Sequence, residues 1–134
     1  AYTERGLEQE WNGRVWLNPP YGEDAQHWMK RLGEHGNGIA LIPPRIGSNW
    51  FHDIVLTKAS SILFVRGRIS FIHPETLKPV AGNNSDSCLI AYGRHNTEAL
   101  LQAVLDSEEK QKVSGGGQRG KKLKLVTGHI WYLR

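Results

Sequence analysis

The chain has 134 residues, 39% hydrophobic and 22% charged, which suits one globular domain over residues 1–134 with a real core. No apolar run approaches the roughly 20 residues that span a bilayer, and the first residues, AYTERGLEQE, carry no signal-peptide pattern. A net charge of +4 and a pI of about 9.4 favour an anionic partner, nucleic acid first, while the single cysteine, Cys88, excludes an internal disulfide framework and points to a reducing cytoplasm.

Residues 1–13 read as a polar lead-in anchored by Leu7 and Trp11. RVWLN (14–18) has the β-branched and aromatic content of a strand. EDAQHWMKRLGEH (23–35) places Ala25, Trp28, Met29 and Leu32 at helical spacing, and Gly36 and Gly38 end that helix. GIALIPPR (38–45) is a continuous apolar run stopped by Pro43-Pro44, the pattern of a fully buried strand. Ser48 is placed to cap a second helix, SNWFHDIVLTKA, with Trp50, Phe51, Ile54 and Val55 facing inward. SSILFVRGR (60–68) is a third strand, ISFIHP continues extended, and ETLKPVAGNNSDS is a turn-rich excursion. CLIAYG (88–93) is a fourth strand. NTEALLQAVLDSEEKQ (96–111) is a helix capped by Asn96 or Thr97, with Leu100, Leu101, Val104 and Leu105 as its apolar stripe. VSGGGQRGKK (113–122) is a flexible basic loop, and LKLVTGHIWYLR ends the chain as one or two strands.

Strands alternating with helices predict an α/β sheet with parallel members, whose site lies at the carboxyl ends of the strands. Asn18-Pro19-Pro20-Tyr21 falls at such an end, and so does Pro43-Pro44-Arg45. The chemistry of the first group suits a planar amino group. The Asn18 amide oxygen accepts a hydrogen. Proline has no N–H and fixes φ, so the carbonyl of Pro19 is aimed by the Pro20 that follows it. The Tyr21 ring offers a stacking face. The competing reading is that these residues only stop a strand.

NPPY at a strand end resembles the catalytic motif of amino-group methyltransferases that use S-adenosylmethionine. WNGRVWLNPPYG, the Trp of the next helix, ALIPPRIGSNWFHD and FVRGRISF, in that order, resemble the phage-type DNA N6-adenine methyltransferases over roughly residues 7–93. Protein-glutamine methyltransferases share the tetrapeptide and not the ordered blocks. The resemblance implies a partial, Rossmann-like mixed sheet with flanking helices, in which strand 87–92 runs antiparallel to its neighbours. It implies methyl transfer from S-adenosylmethionine to adenine N6 in double-stranded DNA, in the cytoplasm of a bacterial host of phage or prophage. Asn18 and the Pro19 carbonyl would hold the amino group and border the cofactor. Pro20 completes the motif, and Tyr21 would stack on a base flipped from the duplex.

In the family, the part before NPPY carries a strand and an acidic turn that grip the cofactor; the 17 residues before Asn18 contain no such pattern. That implies a fragment, a second chain supplying the rest, or loss of cofactor binding. It also predicts an open sheet edge beside strand 14–18, and so a homodimer or a partner that completes the sheet. A DNA-binding protein without methyl transfer stays open as the alternative, as does a protein-glutamine methyltransferase. For DNA contact the candidates are Arg45, Arg66 and Arg68 near strand ends, Asn83 and Asn84 in the excursion, and Arg119, Lys121 and Lys122 in the basic loop. Gly120-Lys121-Lys122 lacks the Ser or Thr and the preceding strand of a phosphate loop. The scattered histidines have no metal spacing, so no metal site is expected.

Overall fold

The continuous apolar runs become the strands of one sheet in a computed structural model that describes residues 6–20, 22–67, 86–114 and 127–134, the side chains of 110–114 excepted. The strands are β1 (Val15–Leu17), β2 (Gly38–Ile42), β3 (Ser61–Val65), β4 (Cys88–Tyr92) and β5 (Gly128–Tyr132), in the order β1-β2-β4-β3-β5. β1 and β2 are parallel, β4 is antiparallel to both β2 and β3, and β5 is antiparallel to β3. This is the partial Rossmann-like mixed sheet expected, with helices on its two faces. β4 is buried along its whole length, as befits a central strand without a polar residue.

Side-chain alternation sends the core to both faces. On one, Met29 and Leu32 of helix α1 (Ala25–His35) and Phe51 and Val55 pack against Ala40, Ile42, Ile62, Ile90 and Tyr92. On the other, Leu100 and Val104 of helix α2 (Arg94–Ser114) cover Leu41, Leu63, Leu89 and Ala91. Each such side chain fully buried contributes about 1.5–3 kcal/mol. Helix α1 ends as expected at Gly36, whose φ of 75° is left-handed and whose N–H donates to the Leu32 carbonyl at 2.8 Å.

Several local expectations are corrected. Leu7 is 38% exposed and anchors nothing in the core, whereas Trp11 is buried. The second helix is not one α-helix over 48–59: Phe51–Val55 forms a wide π-type turn in which the Leu56 N–H donates to the Phe51 carbonyl at 2.9 Å. Thr57 donates its hydroxyl to the Asp53 carbonyl, a bond that competes with the regular ladder. The Ser48 hydroxyl turns back to donate to the Arg45 carbonyl at 2.7 Å, so it braces a turn and makes no helix cap.

Helix α2 begins at Arg94, before both proposed caps, because Gly93 (φ 93°) turns the chain directly out of β4. Asn96 is buried in the first turn, donating to the Tyr92 carbonyl and to the Asn37 side chain, and Thr97 bonds the Ser61 hydroxyl at 2.7 Å. The stripe is also narrower than expected: Leu101 and Leu105 are 36% and 47% exposed. The helix runs on through Ser114, and residues 115–122 of the basic loop lie outside the described residues.

The end of the chain is fastened by Arg134, whose guanidinium donates to the carbonyls of Leu56, Thr57 and Ala59. These carbonyls end the helical segment after β2 and have lost their regular partners. Arg134→Ala is expected to lower stability by about 1–2 kcal/mol, read as a fall in thermal midpoint of roughly 3–6 °C.

Cys88 is buried in β4, its thiol near the Ile42 carbonyl, and burial pushes its pKa from 9.0 up to about 12. Burial, and then the neighbouring Cys88, raise the Tyr92 hydroxyl as well. Both groups keep their protons in the folded chain at a pH where the unfolded chain loses them. Stability is therefore undiminished below about pH 9 and falls as pH rises from there toward 12. Urea unfolding between about pH 8 and 11 checks this, and Cys88→Ala is expected to flatten the fall.

Candidate active site

The parallel register, Val15↔Gly38 to Leu17↔Ala40, brings β1 and β2 out at the same end of the sheet. Asn18-Pro19-Pro20 and Pro43-Pro44-Arg45 therefore emerge side by side, as their positions after two buried strands predict. Gly38 allows this approach. A Cβ there would stand 2.4 Å from the Val15 carbonyl oxygen and 2.8 Å from Leu32 Cδ1. β1 continues the close fit with a Val15 N–H donated to the Asn37 carbonyl at 3.1 Å.

Alternation sets the character of the motif. Pro19 is buried and pins the segment, while Asn18 and Pro20 on either side are exposed. A cleft of about 520 Å³ runs along β1, lined by Arg14, Trp16, Asn18, Pro19, Pro20 and Trp28 among others. No strand among the described residues pairs with the far edge of β1, and Trp16 there is 61% exposed.

The cleft's second wall depends on Trp28. Its indole stacks on that of Trp11, with centroids 6.3 Å apart and planes at 21°. The Arg31 guanidinium lies 4.8 Å from the Trp11 ring, and Trp11 donates its N–H to the Gly6 carbonyl. His35 donates to the Gly13 carbonyl at 2.6 Å. These contacts fasten residues 6–14 to α1 and hold the lead-in beside β1. Trp28 lies at the edge of the α1 stripe, half-buried against the core, and helical spacing alone did not mark its place in the cleft. A large amphipathic ring at such a boundary was the available signal.

Two of the proposed DNA-contact residues are described, and both lie at this end of the sheet. Arg45 is exposed after β2. Arg66 is exposed after β3, which runs in the direction of β2, each being antiparallel to β4. Three strand spacings separate β1 from β3, roughly 14 Å. Tyr21, Arg68, Asn83, Asn84, Arg119, Lys121 and Lys122 lie outside the described residues. His52 is exposed and donates to the Ile46 carbonyl at 2.6 Å. Among the described residues no group of three or more metal-ligating side chains occurs, and no helix is long and apolar enough to cross a membrane.

The family described as DNA N-6-adenine-methyltransferase (Dam) matches residues 1–118. A DNA N-6-adenine-methyltransferase of Escherichia phage T1 is 32% identical over 103 residues, covering 62% of this chain and 43% of that relative. The chain thus spans less than half the length of the curated relative it matches. No solved structure matches it. With its ordered sequence blocks, its strand order and this match over most of its length, the chain belongs to the DNA N-6-adenine-methyltransferase (Dam) family.

Proposed function

We propose that this chain carries the acceptor-binding part of a methyltransferase acting on the N6 amino group of adenine in double-stranded DNA. The observation that supports it most directly is Asn18-Pro19-Pro20 at the carboxyl end of a parallel strand, with Pro19 buried and Asn18 presented in a cleft. The Asn18 amide oxygen and the Pro19 carbonyl oxygen accept the two N6 hydrogens. That orients the nitrogen lone pair away from the protein and toward the donor. Tyr21 stacks on the flipped base. No side chain with a shifted pKa is needed, because alignment of the two reacting atoms is the main demand.

The cofactor of this reading is S-adenosylmethionine, which when bound supplies an electrophilic methyl group. The residues present fit it at that end only: Asn18 and Pro19 border the methyl. Among the described residues the cleft carries no carboxylate to meet a ribose or an amino group. The free edge of β1 supports completion of the sheet by a further strand, from a second copy or a partner chain. Arg45 and Arg66 contact phosphates, joined in this proposal by Arg68, Arg119, Lys121 and Lys122, while Asn83 and Asn84 reach base edges.

The test is incubation of the chain with duplex DNA and labelled S-adenosylmethionine, then nuclease digestion and mass spectrometry. N6-methyladenine is the expected product. Methyl groups found on a peptide glutamine and absent from DNA would overturn the reading. The alternative reading is DNA binding without methyl transfer. Its signature is duplex affinity that falls with salt, together with no N6-methyladenine under any condition.

A further inference from the structure

Residues 18–20 line the cleft along β1, whereas Gly22, Glu23, Ala25 and Gln26 line a different cleft. This second one, about 420 Å³, lies between the approach to α1 and the segment after β2, and its lining includes Glu23, Gln26, Pro43, Arg45 and Trp50. Its volume is in the range of small-ligand sites. The walls are firm. The Trp50 ring sits edge-on to Phe51, centroids 6.1 Å apart, and Phe51 belongs to the core. The Arg45 turn is tied by the Ser48 N–H and hydroxyl, both donated to the Arg45 carbonyl, and by His52 donating to the Ile46 carbonyl.

A nucleotide needs a face to stack on, a donor and acceptor for its base edge, and a cation for its phosphate. One cleft supplies all three: the Trp50 indole, the half-buried Gln26 carboxamide and the exposed Arg45 guanidinium. Glu23, on the other wall from Arg45, disfavours a phosphate there and leaves Arg45 as its partner. The two clefts are lined by residues close in sequence, Asn18–Pro20 in the first and Gly22, Glu23, Ala25 and Gln26 in the second. Resting on the adenine methyltransferase reading above, we propose that the second cleft receives the nucleotide flanking the target adenine. Trp50 stacks on its base, Gln26 reads its edge, and Arg45 holds its phosphate. Gln26 is thereby a specificity-determining residue, since a carboxamide reads a base edge bidentately.

Selection of duplexes by the full chain, from a pool randomised at the target position and at its neighbours, tests this. The wild-type chain is expected to prefer one base beside the adenine. Gln26→Ala is expected to lose that flanking preference with the adenine still selected, and Asn18→Ala to do the reverse. In anisotropy titrations of the selected duplex, Trp50→Ala is expected to weaken binding about tenfold and Trp50→Phe about twofold. On the same duplex with an abasic site in place of the flanking base, all three proteins are expected to bind alike. Should Trp50→Ala unfold, Gln26→Ala, a change at a half-buried helix position, decides the matter alone. Equal losses on intact and abasic duplexes overturn the flanking subsite and leave the methyltransferase reading standing. So does a wild-type preference confined to adenine, or a Gln26→Ala preference identical to wild type. A wild-type chain that selects no adenine overturns both.

Discussion

Asn18→Ala is expected to reduce methyl transfer to adenine by about 100- to 1000-fold, the scale seen when one preorganised hydrogen-bonding group is removed from a reacting centre. The fold is expected to survive, because Asn18 is exposed and belongs to neither core cluster. Affinity for a duplex of unselected sequence, measured by anisotropy, is expected to stay within about threefold of wild type, since phosphate contacts dominate such binding. The conservative variant separates grip from mere occupancy. Asn18→Asp keeps an acceptor oxygen at the same place and is expected to retain far more activity than Asn18→Ala. Asn18→Gln lengthens the side chain by one methylene, and misplacement by about 1 Å is enough to cost on the order of 100-fold. Were Asn18→Ala to methylate at the wild-type rate, the assignment of Asn18 to the amino group would be wrong.

Much of this arrangement is legible in the sequence because it is written locally. The buried strands are continuous apolar runs closed by proline or glycine, and GIALIPPR announces both its interior and its end. Helix α1 carries a periodic stripe and a glycine stop. The parts that were not legible depend on contacts across the fold. Asn96 has the composition of a cap, yet Asn37 and Tyr92 claim its side chain in the core. The π-type turn at 51–55 arises where Thr57 bonds back to Asp53, and no periodicity marks it. Leu101 and Leu105 match the helical stripe, yet among the described residues they stay partly exposed. The second cleft joins residues 22–26 to 43–50 only because β1 and β2 are parallel neighbours.

That neighbour relation leads to Gly38→Ala, which is expected to damage stability and the site together. Gly38 lies opposite Val15 in the β1–β2 register, and its missing side chain is filled by the Val15 carbonyl oxygen. An alanine Cβ would sit 2.4 Å from that oxygen and 2.8 Å from Leu32 Cδ1. Leu32 is fully buried beneath the sheet, so it has little freedom to yield. The carbonyl belongs to a three-residue strand that pairs, among the described residues, with β2, so β1 is what moves. Overpacking of this kind costs about 1–3 kcal/mol. The displaced strand carries Asn18 and Pro19 with it. Methyl transfer is therefore expected to fall on the order of 100-fold even at temperatures where circular dichroism shows the chain folded. Gly47→Ala is the control, because a Cβ at Gly47 meets nothing within 4 Å and its stability is expected to match wild type. If Gly38→Ala melted and methylated like Gly47→Ala, the close approach of β1 to β2 would not be what positions the site. A fall in activity at unchanged DNA affinity, beyond what the loss of folded protein explains, is the result that ties Gly38 to the aim of Asn18.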